Sequence, residues 1–207
     1  AKRLADESDV VVEAGRPGVA ARLGLDYAAV RADNPGVIYV SVSGFGQTGA
    51  YIDRPSTDTV LQSFSGMMSA NTGPDDGIPH RTGHLSVDHT TGLYAFQAVA
   101  AALYARRDSG QGRFIDVSLM ASTASLLAHK IADYHLQDGA PRLVNAPTGS
   151  YRTKDGWIAF ALIREEHWMR LCHALMRDDL ATDPLYETFA ARAENLATLA
   201  PILQKIL

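Results

Sequence analysis

The feature that most constrains the fold of this sequence is an alternation of strand-like and helix-like segments up to about residue 127. Residues 10–12, 37–42 and 113–117 contain runs of β-branched and aromatic residues that are typical of buried strands. Between these runs, apolar residues recur at helical spacing, notably over residues 58–68 and 90–107. Strands that alternate with helices are typical of parallel βαβ units. The sequence therefore predicts an α/β fold built on a parallel sheet.

The pattern changes in the last third of the chain. Residues 137–147 have the composition of a linker, and residues 151–162 predict a hairpin that turns at Asp155-Gly156. Helical patterns follow over residues 165–176 and from residue 187 to the end. A hairpin followed by helices differs from the βαβ pattern before it, so we expect a domain boundary between residues 137 and 145.

Composition excludes several classes of protein. Hydrophobic residues make up 46% and charged residues 20% of the chain, which excludes disorder over its whole length. The net charge is -4 and no long run of Lys or Arg occurs, so nucleic acid is not an expected partner. The most apolar run, residues 93–105, is shorter than the roughly 20 residues that span a bilayer, so no membrane partner is expected.

The single cysteine, Cys172, excludes an internal disulfide and favours a reducing compartment such as the cytoplasm. Cys172 shares an apolar helical stripe with Trp168, so we expect it in a core rather than as a nucleophile. Trp157 is likewise expected to pack in a core.

Residues 44–49 fit the glycine pattern of a dinucleotide-binding loop and follow a predicted strand. That fingerprint also requires a helix to begin within the loop, so that its N-terminus faces the pyrophosphate. Here the next helix is predicted only after Pro55, with Ser56 or Thr57 as its N-cap. We therefore favour a flexible turn over a nicotinamide site, and a role near another ligand stays open.

Three histidines and an aspartate cluster in the sequence: His80, His84, His89 and Asp88. They match a metal site in number, but Pro79 and Gly83 argue against the helix that would align them. We expect surface or loop histidines and no metal site. Asp88 precedes a predicted apolar helix, where a carboxylate is usually a cap or a partner of the helix dipole. A ligand-binding role at the end of a strand is the alternative.

Several motifs occur in a fixed order along the chain. They occupy residues 9–13, 16–18, 22–25, 34–49, 88–95, 110–119 and 151–159. In this combination they resemble the class III CoA-transferases, the group of formyl-CoA and carnitine CoA-transferases. The resemblance implies part of a large Rossmann-like, CoA-binding domain over residues 1–128. It further implies a linker over residues 129–147 and the first part of a small α+β domain over residues 148–207.

The resemblance also implies an activity. Such enzymes move CoA from an acyl-CoA thioester to a free carboxylic acid through a covalent aspartyl intermediate, and by position the nucleophile is Asp88. CoA thioester is then a substrate, and no permanently bound cofactor is expected. Arg22, Leu23 and, more weakly, Arg16 fall where the family contacts CoA.

The resemblance implies that three further residues support the nucleophile: Asp58, Gly44 and Gly46. Asp58 could instead simply sit in the first turn of its helix, and Arg22 could be a solvated charge on a short helix. Backbone N–H groups of nearby glycines would stabilise the oxyanion, with the donor left open. At Ala14 and Gly15 this sequence departs from the Asn-Phe of many members, which leaves open the adenine or ribose contact of that pair.

Two alternatives stay open beside CoA transfer. The α-methylacyl-CoA racemases share the fold, but they use a His where this sequence has Thr57. The second alternative is a non-catalytic, incomplete fragment, because members of the family are about twice this long. The chain starts without Met and ends within a predicted helix, so we expect both ends to be cut points in a longer, homodimeric, interlocked protein.

Overall fold

A computed structural model describes residues 1–72, 77–139 and 145–207 and confirms the mixed α/β class. Three parallel strands form one sheet in the order β1-β2-β3: β1 Val10–Glu13, β2 Ile38–Ser43 and β3 Arg113–Ser118. The chain divides into two compact units, Ala1–Ala132 and Asp133–Leu207. The parallel sheet lies in the first unit, so the β-branched runs do form the predicted βαβ arrangement.

Helices connect and cover these strands. Their bounds are α1 Lys2–Asp6, α2 Val19–Arg22, α3 Tyr27–Asp33, α4 Asp58–Phe64, α5 Met67–Ala70, α6 Ser86–Ser109, α7 Leu119–Leu126 and α8 Ala128–Leu136. The single helix predicted over residues 58–68 is two helices, because Gly66 takes a left-handed conformation with φ 81° between them. Thr57 caps α4 as predicted, with its hydroxyl accepting a hydrogen bond from the N–H of Val60.

The central strand β2 forms the middle of the first unit. Val37 and Tyr39 are almost fully buried in a cluster with Ala5 and Val30, which belong to α1 and α3. The long helix α6 packs on β2 and β3. A second cluster brings together Leu61, Met67, Val87 and Leu127 from α4, α5, α6 and the end of α7. The strand is therefore covered by helices, as expected of a parallel sheet.

The helix α6 is anchored at its C-terminal end. It has 24 residues and ends at Gly110, which has a φ of 66°. The guanidinium of Arg106 donates to the carbonyl oxygen of Gly36 at 2.9 Å and to the Asp9 carboxylate at 2.7 Å. These bonds tie the last turn of α6 to the segments that lead into β1 and β2. The helix begins at Ser86, earlier than the predicted start near residue 90.

In the described residues 145–207 of the second unit, a hairpin is followed by four helices. Strands β4 Gly149–Arg152 and β5 Trp157–Phe160 pair in antiparallel register, followed by α9 Glu165–Ala174, α10 Asp178–Ala181, α11 Phe189–Glu194 and α12 Leu196–Ile206. Trp168 and Cys172 are buried in its core, and burial raises the pKa of the Cys172 thiol to about 11. The prediction that Trp157 packs in a core was wrong, because 63% of its surface is exposed on β5.

A buried arginine organises this unit. The side chain of Arg192 is fully buried, and it donates to the carbonyl oxygens of Ala146, Tyr186 and Glu187 at 2.7–3.0 Å. Its remaining nitrogen donates to the Glu165 carboxylate at 2.5 Å. Buried charges need such partners, because leaving them unpaired costs several kcal/mol.

The predicted domain boundaries remain predictions. Of the linker expected over residues 129–147, residues 129–136 belong to α8. Residues 140–144 of that linker lie outside the described part of the chain.

Candidate active site

The loop after β2 is tied to all three parallel strands. The side-chain amide of Gln47 donates to the Ser41 hydroxyl on β2 at 2.9 Å, and Ser41 in turn donates to Glu13 at the end of β1. The backbone N–H of Gln47 donates to Asp116 on β3 at 3.0 Å. Because these strands are parallel, their carboxyl ends share one edge of the sheet, where ligands of α/β proteins usually bind.

The two predicted supporting glycines give this loop its shape. A Cβ atom on Gly44 would lie 2.0 Å from the hydroxyl oxygen of Ser56, and Gly46 has a φ of 92°. The N–H of Gly46 already donates to the Ser43 hydroxyl at 3.0 Å. Backbone turns, and no helix, follow until Asp58, so the loop lacks the helix of a dinucleotide fingerprint.

Asp58 holds the start of α6. It is 3% exposed at the first position of α4, and one carboxylate oxygen accepts from the N–H groups of Val87 at 2.9 Å and Asp88 at 3.2 Å. The position before α6 is Leu85, which has no oxygen to cap the helix. Asp58 therefore supplies the cap from another helix, and its charge also suits the positive end of the helix dipole.

Asp88 lies in the first turn of α6 with an exposed side chain. Within residues 1–72, 77–139 and 145–207, its carboxylate makes no hydrogen bond or ion pair. Partial desolvation and, next, the negative charge of Asp58 raise the pKa of Asp88, while His89 acts in the opposite direction. Asp88 thus presents an exposed carboxylate without an ion pair in the described residues, on a backbone position that Asp58 holds.

Gln62 is a site residue that sequence reasoning missed. It is fully buried, and its amide nitrogen donates to the second carboxylate oxygen of Asp58 at 2.6 Å. Its amide oxygen accepts from the N–H of Thr82 at 2.8 Å. The only signal in the sequence was the spacing of four residues between Asp58 and Gln62, which puts both on one helix face.

A shared core joins the glycine loop to the start of α6. Phe45 packs against the cluster that contains Leu61 and Val87, and Val87 precedes Asp88. The loop that carries Gly44 and Gly46 therefore lies beside the same core as the start of α6, where the Asp58 carboxylate contacts the backbone N–H of Asp88.

The predicted CoA contacts lie on an exposed surface. Arg16 and Arg22 are exposed at the end of β1 and of α2, and Leu23 is 68% exposed. Leu23 lines an apolar cavity of about 460 Å³ together with residues of α1, α2 and β1. Neither guanidinium forms an ion pair with any residue that the structure describes, and no contact joins these three side chains to Asp88.

In the described residues, no group of three or more His, Cys, Asp or Glu side chains is arranged to hold a metal ion. In the same part of the chain, no helix combines the length and the apolar character needed to cross a membrane.

Comparison with known proteins identifies the class. The sequence profile of CoA-transferase family III matches residues 1–207. A succinate–glutarate CoA-transferase of Agrobacterium fabrum is 36% identical over 208 residues, covering 98% of this chain and 52% of the relative. An acetyl-CoA:oxalate CoA-transferase of Acetobacter aceti is also 36% identical, covering 97% of this chain and 53% of the relative.

A solved structure agrees with this result. The crystal structure of a hypothetical protein (Rv3272) of Mycobacterium tuberculosis superposes with a TM-score of 0.86 at 32% identity, covering 100% of this chain and 56% of that one. The chain belongs to CoA-transferase family III. It spans about half the length of the curated relatives that it matches.

Proposed function

We propose that the protein is an enzyme that transfers CoA from an acyl-CoA thioester to a small free carboxylic acid. The observation that carries this proposal is the exposed carboxylate of Asp88, which has no partner in the described chain and whose backbone N–H is held at the start of α6 by buried Asp58. The relatives named above as CoA-transferases support it. CoA thioester is a substrate in this proposal, and no resident cofactor takes part.

The first half of the proposed reaction loads CoA onto Asp88. The Asp88 carboxylate attacks the thioester carbonyl carbon, the C–S bond breaks, and CoA leaves as a thiolate. The product is a mixed anhydride between Asp88 and the donor acid. The thiolate then attacks the Asp88 carbonyl of this anhydride, which releases the donor carboxylate and leaves an aspartyl-CoA thioester.

The second half reverses these steps with the acceptor. The acceptor carboxylate attacks the aspartyl thioester and expels the CoA thiolate, giving a second mixed anhydride. The thiolate attacks the acceptor carbonyl, which forms the new acyl-CoA and regenerates the Asp88 carboxylate. Atoms and charges balance without any oxidant or metal. The Asp88 side chain is exposed, so a thioester carbonyl can approach its carboxylate.

Arg22, Leu23 and Arg16 are the proposed CoA contacts. A guanidinium suits a phosphate in charge and in geometry, and both arginines are exposed. The exposed apolar side chain of Leu23 offers a face for adenine. The proposed support from Gly44 and Gly46 acts through the shape of their loop, because the Gly46 N–H is already bonded to Ser43.

The racemase alternative is less well supported. Racemisation needs an acid and a base on opposite faces of the α-carbon. Thr57 offers a hydroxyl instead of the His of the racemases, and that hydroxyl caps α4. A homodimer and a cytoplasmic location also belong to the proposal, the first supported by the resemblance to interlocked dimers and the second by the single, buried Cys172.

The experiment uses the full-length protein incubated with an acyl-CoA and hydroxylamine. Hydroxylamine attacks the activated Asp88 carbonyl and leaves a hydroxamate, which peptide mass spectrometry would locate at Asp88. Asp88→Ala is expected to lower turnover by about 10⁴-fold or more, because a covalent catalyst is lost. Asp53→Asn, which changes an exposed carboxylate before α4, is the matched control and is expected to keep full turnover.

Three outcomes decide between the candidate functions. A missing adduct together with intact turnover in Asp88→Ala would refute the covalent relay. Incorporation of solvent deuterium at the α-carbon, without CoA transfer, would establish the racemase alternative. Detectable CoA binding by residues 1–207 alone would count against the alternative of a non-catalytic, incomplete fragment.

A further inference from the structure

A buried polar chain lies behind the proposed nucleophile. It runs from the N–H of Thr82 through the amide of Gln62 to the carboxylate of Asp58, and from there to the N–H groups of Val87 and Asp88. Gln62 is fully buried and Asp58 is 3% exposed. Polar side chains of this kind are mostly exposed in proteins, so their burial next to a reactive position calls for a role.

We infer that Gln62 is a positioning residue, whose amide holds the Asp58 carboxylate in the orientation that fixes the first turn of α6 and hence Asp88. The inference rests on the proposed function of Asp88. Gln62 does not touch Asp88 and acts on it only through Asp58.

The chemistry of an amide suits this position. Its NH₂ group donates to the carboxylate of Asp58 on one side, and its oxygen accepts from the backbone of Thr82 on the other. A flipped amide would face the carboxylate with an oxygen and the Thr82 N–H with a donor, so only one orientation satisfies both partners. Asp58 is held in the same way, because one oxygen faces Gln62 and the other faces α6.

Rotation of Asp58 would release both N–H groups at the start of α6 together. The two bonds of 2.9 and 3.2 Å share one carboxylate oxygen, so they are kept or lost as a pair. Gln62 also ties down residue 82, which leads into α6. Misplacement of a catalytic group by about 1 Å costs roughly 10²-fold in rate. The expected consequence of losing Gln62 is thus a fall in kcat.

Among the residues that the structure describes, the titratable groups near this polar chain lie on α6 and in the segment before it. The helices α5 and α7, which pack near α4, carry no titratable side chain within their bounds. On α6, Asp88 and His89 lie in the first turn, and His80, Arg81 and His84 lie in the segment before it. Glu at position 62 would place a second carboxylate against Asp58, because the amide nitrogen of Gln62 already lies 2.6 Å from the Asp58 carboxylate.

The decisive variant is Gln62→Glu, studied in the full-length protein. At low pH the two carboxyl groups share a proton, which replaces the amide donor, and kcat is expected within about threefold of wild type. As the pH rises, both ionise and repel each other, so kcat is expected to fall by about tenfold or more where the wild type stays level. The KM for acyl-CoA is expected within about twofold of wild type, because residue 62 does not reach the substrate.

Gln62→Met supplies a second, uncharged variant of similar size. Its kcat is expected to fall by about 10–100-fold at every pH with little change in KM. Gln97→Glu adds the same charge at an exposed position of α6 and is the matched control, with an expected wild-type profile. Circular dichroism checks that each variant is folded. If only one of the two Gln62 variants folds, that variant alone is sufficient to test the positioning role.

The inference is overturned by a folded Gln62→Glu with the wild-type alkaline profile, or by a folded Gln62→Met with wild-type kcat. A fall in the activity of Gln62→Glu that is equal at all pH values also contradicts it, because that result indicates only general damage. Hydroxylamine labelling of wild-type Asp88 tests the proposed function separately. If Asp88 is labelled but the Gln62 variants behave like the wild type, the positioning role of Gln62 is refuted and the proposed function of Asp88 stands.

Discussion

Among the described residues, Asp58 in the first unit and Arg192 in the second are buried charged side chains, and the two are satisfied in different ways. Asp58 in the first unit accepts hydrogen bonds from two backbone N–H groups and one amide. Arg192 in the second unit donates to three carbonyl oxygens and to the carboxylate of Glu165. Asp58 is thus compensated by dipoles, whereas Arg192 is compensated in part by an opposite charge.

The difference determines what each charge does to its neighbour. Asp58 raises the pKa of Asp88, in addition to the larger effect of desolvation there. Desolvation also acts to raise the pKa of Glu165, but its hydrogen bonds with Arg192 and the N–H of Phe189 outweigh this, and the pKa is lowered. A buried charge that is compensated by dipoles alone still shifts the pKa of nearby groups. In the first unit, the group beside Asp58 is the exposed carboxylate of Asp88.

The largest expected effect on stability comes from Arg192→Met. The change leaves the buried carbonyl groups of Ala146 and Tyr186 without their donor, together with the more exposed Glu187 carbonyl and Glu165 carboxylate. Each buried acceptor that loses its donor costs about 1–3 kcal/mol. The loss of free energy of unfolding would be measured by denaturant titration. Hydrogen exchange would place it in residues 145–207 and not in the first unit.

Arg170→Met is the matched control for that comparison. Arg170 lies on α9, is 75% exposed and pairs with Glu166 at 3.6 Å, so its loss is expected to cost less than about 0.5 kcal/mol. Equal losses of unfolding free energy in Arg192→Met and Arg170→Met would show that the buried contacts of Arg192 add nothing to stability.

A smaller effect is expected from Asp58→Asn. The amide keeps an acceptor oxygen but turns a donor toward groups that are themselves donors, which costs about 1–3 kcal/mol. It also removes the negative charge that raises the pKa of Asp88. The acid limb of the activity profile is therefore expected to move to lower pH, whereas Asp53→Asn is expected to leave both stability and profile unchanged. An acid limb that stays in place would contradict the proposed action of Asp58 on its neighbour.

The smallest effect concerns Glu165 and acid. Its folded-state pKa lies below the ordinary value of 4.5, so the stability that it contributes is present above that value and is lost as the pH falls through the lowered pKa. Glu165 is half exposed, so the contribution is expected below about 1 kcal/mol. Denaturant titrations from pH 6 to about pH 3 would show it, with Glu165→Gln removing it and Glu166→Gln keeping it.

Local patterns in the sequence were sufficient for the sheet and for one helix cap. The β-branched runs predicted the three parallel strands, and the spacing after Thr57 predicted the start of α4. The start of α6 was placed too late because Leu85 offers no cap, and the capping oxygen comes from Asp58, about thirty positions earlier. Tertiary contacts of this kind leave no local signal.

The residues of the candidate site likewise divide into those that the sequence predicted and those that it did not. Asp58 and Asp88 were found through the family motifs, and their mutual contact is visible only in the fold. Gln62 and Arg192 were missed because polar residues in helices are usually solvated, and nothing nearby in the sequence indicates that these two are buried. Residue type alone also failed to separate buried Trp168 from exposed Trp157.

The anchoring of α6 at both ends restricts how homologous proteins can vary in length. The helix has 24 residues, which corresponds to roughly 36 Å, with Asp58 holding its first turn and Arg106 tying its last turn to Asp9 and Gly36. Each inserted or deleted residue would rotate one end against the other by about 100°. Insertions and deletions in relatives should therefore avoid this helix and collect in the surrounding loops.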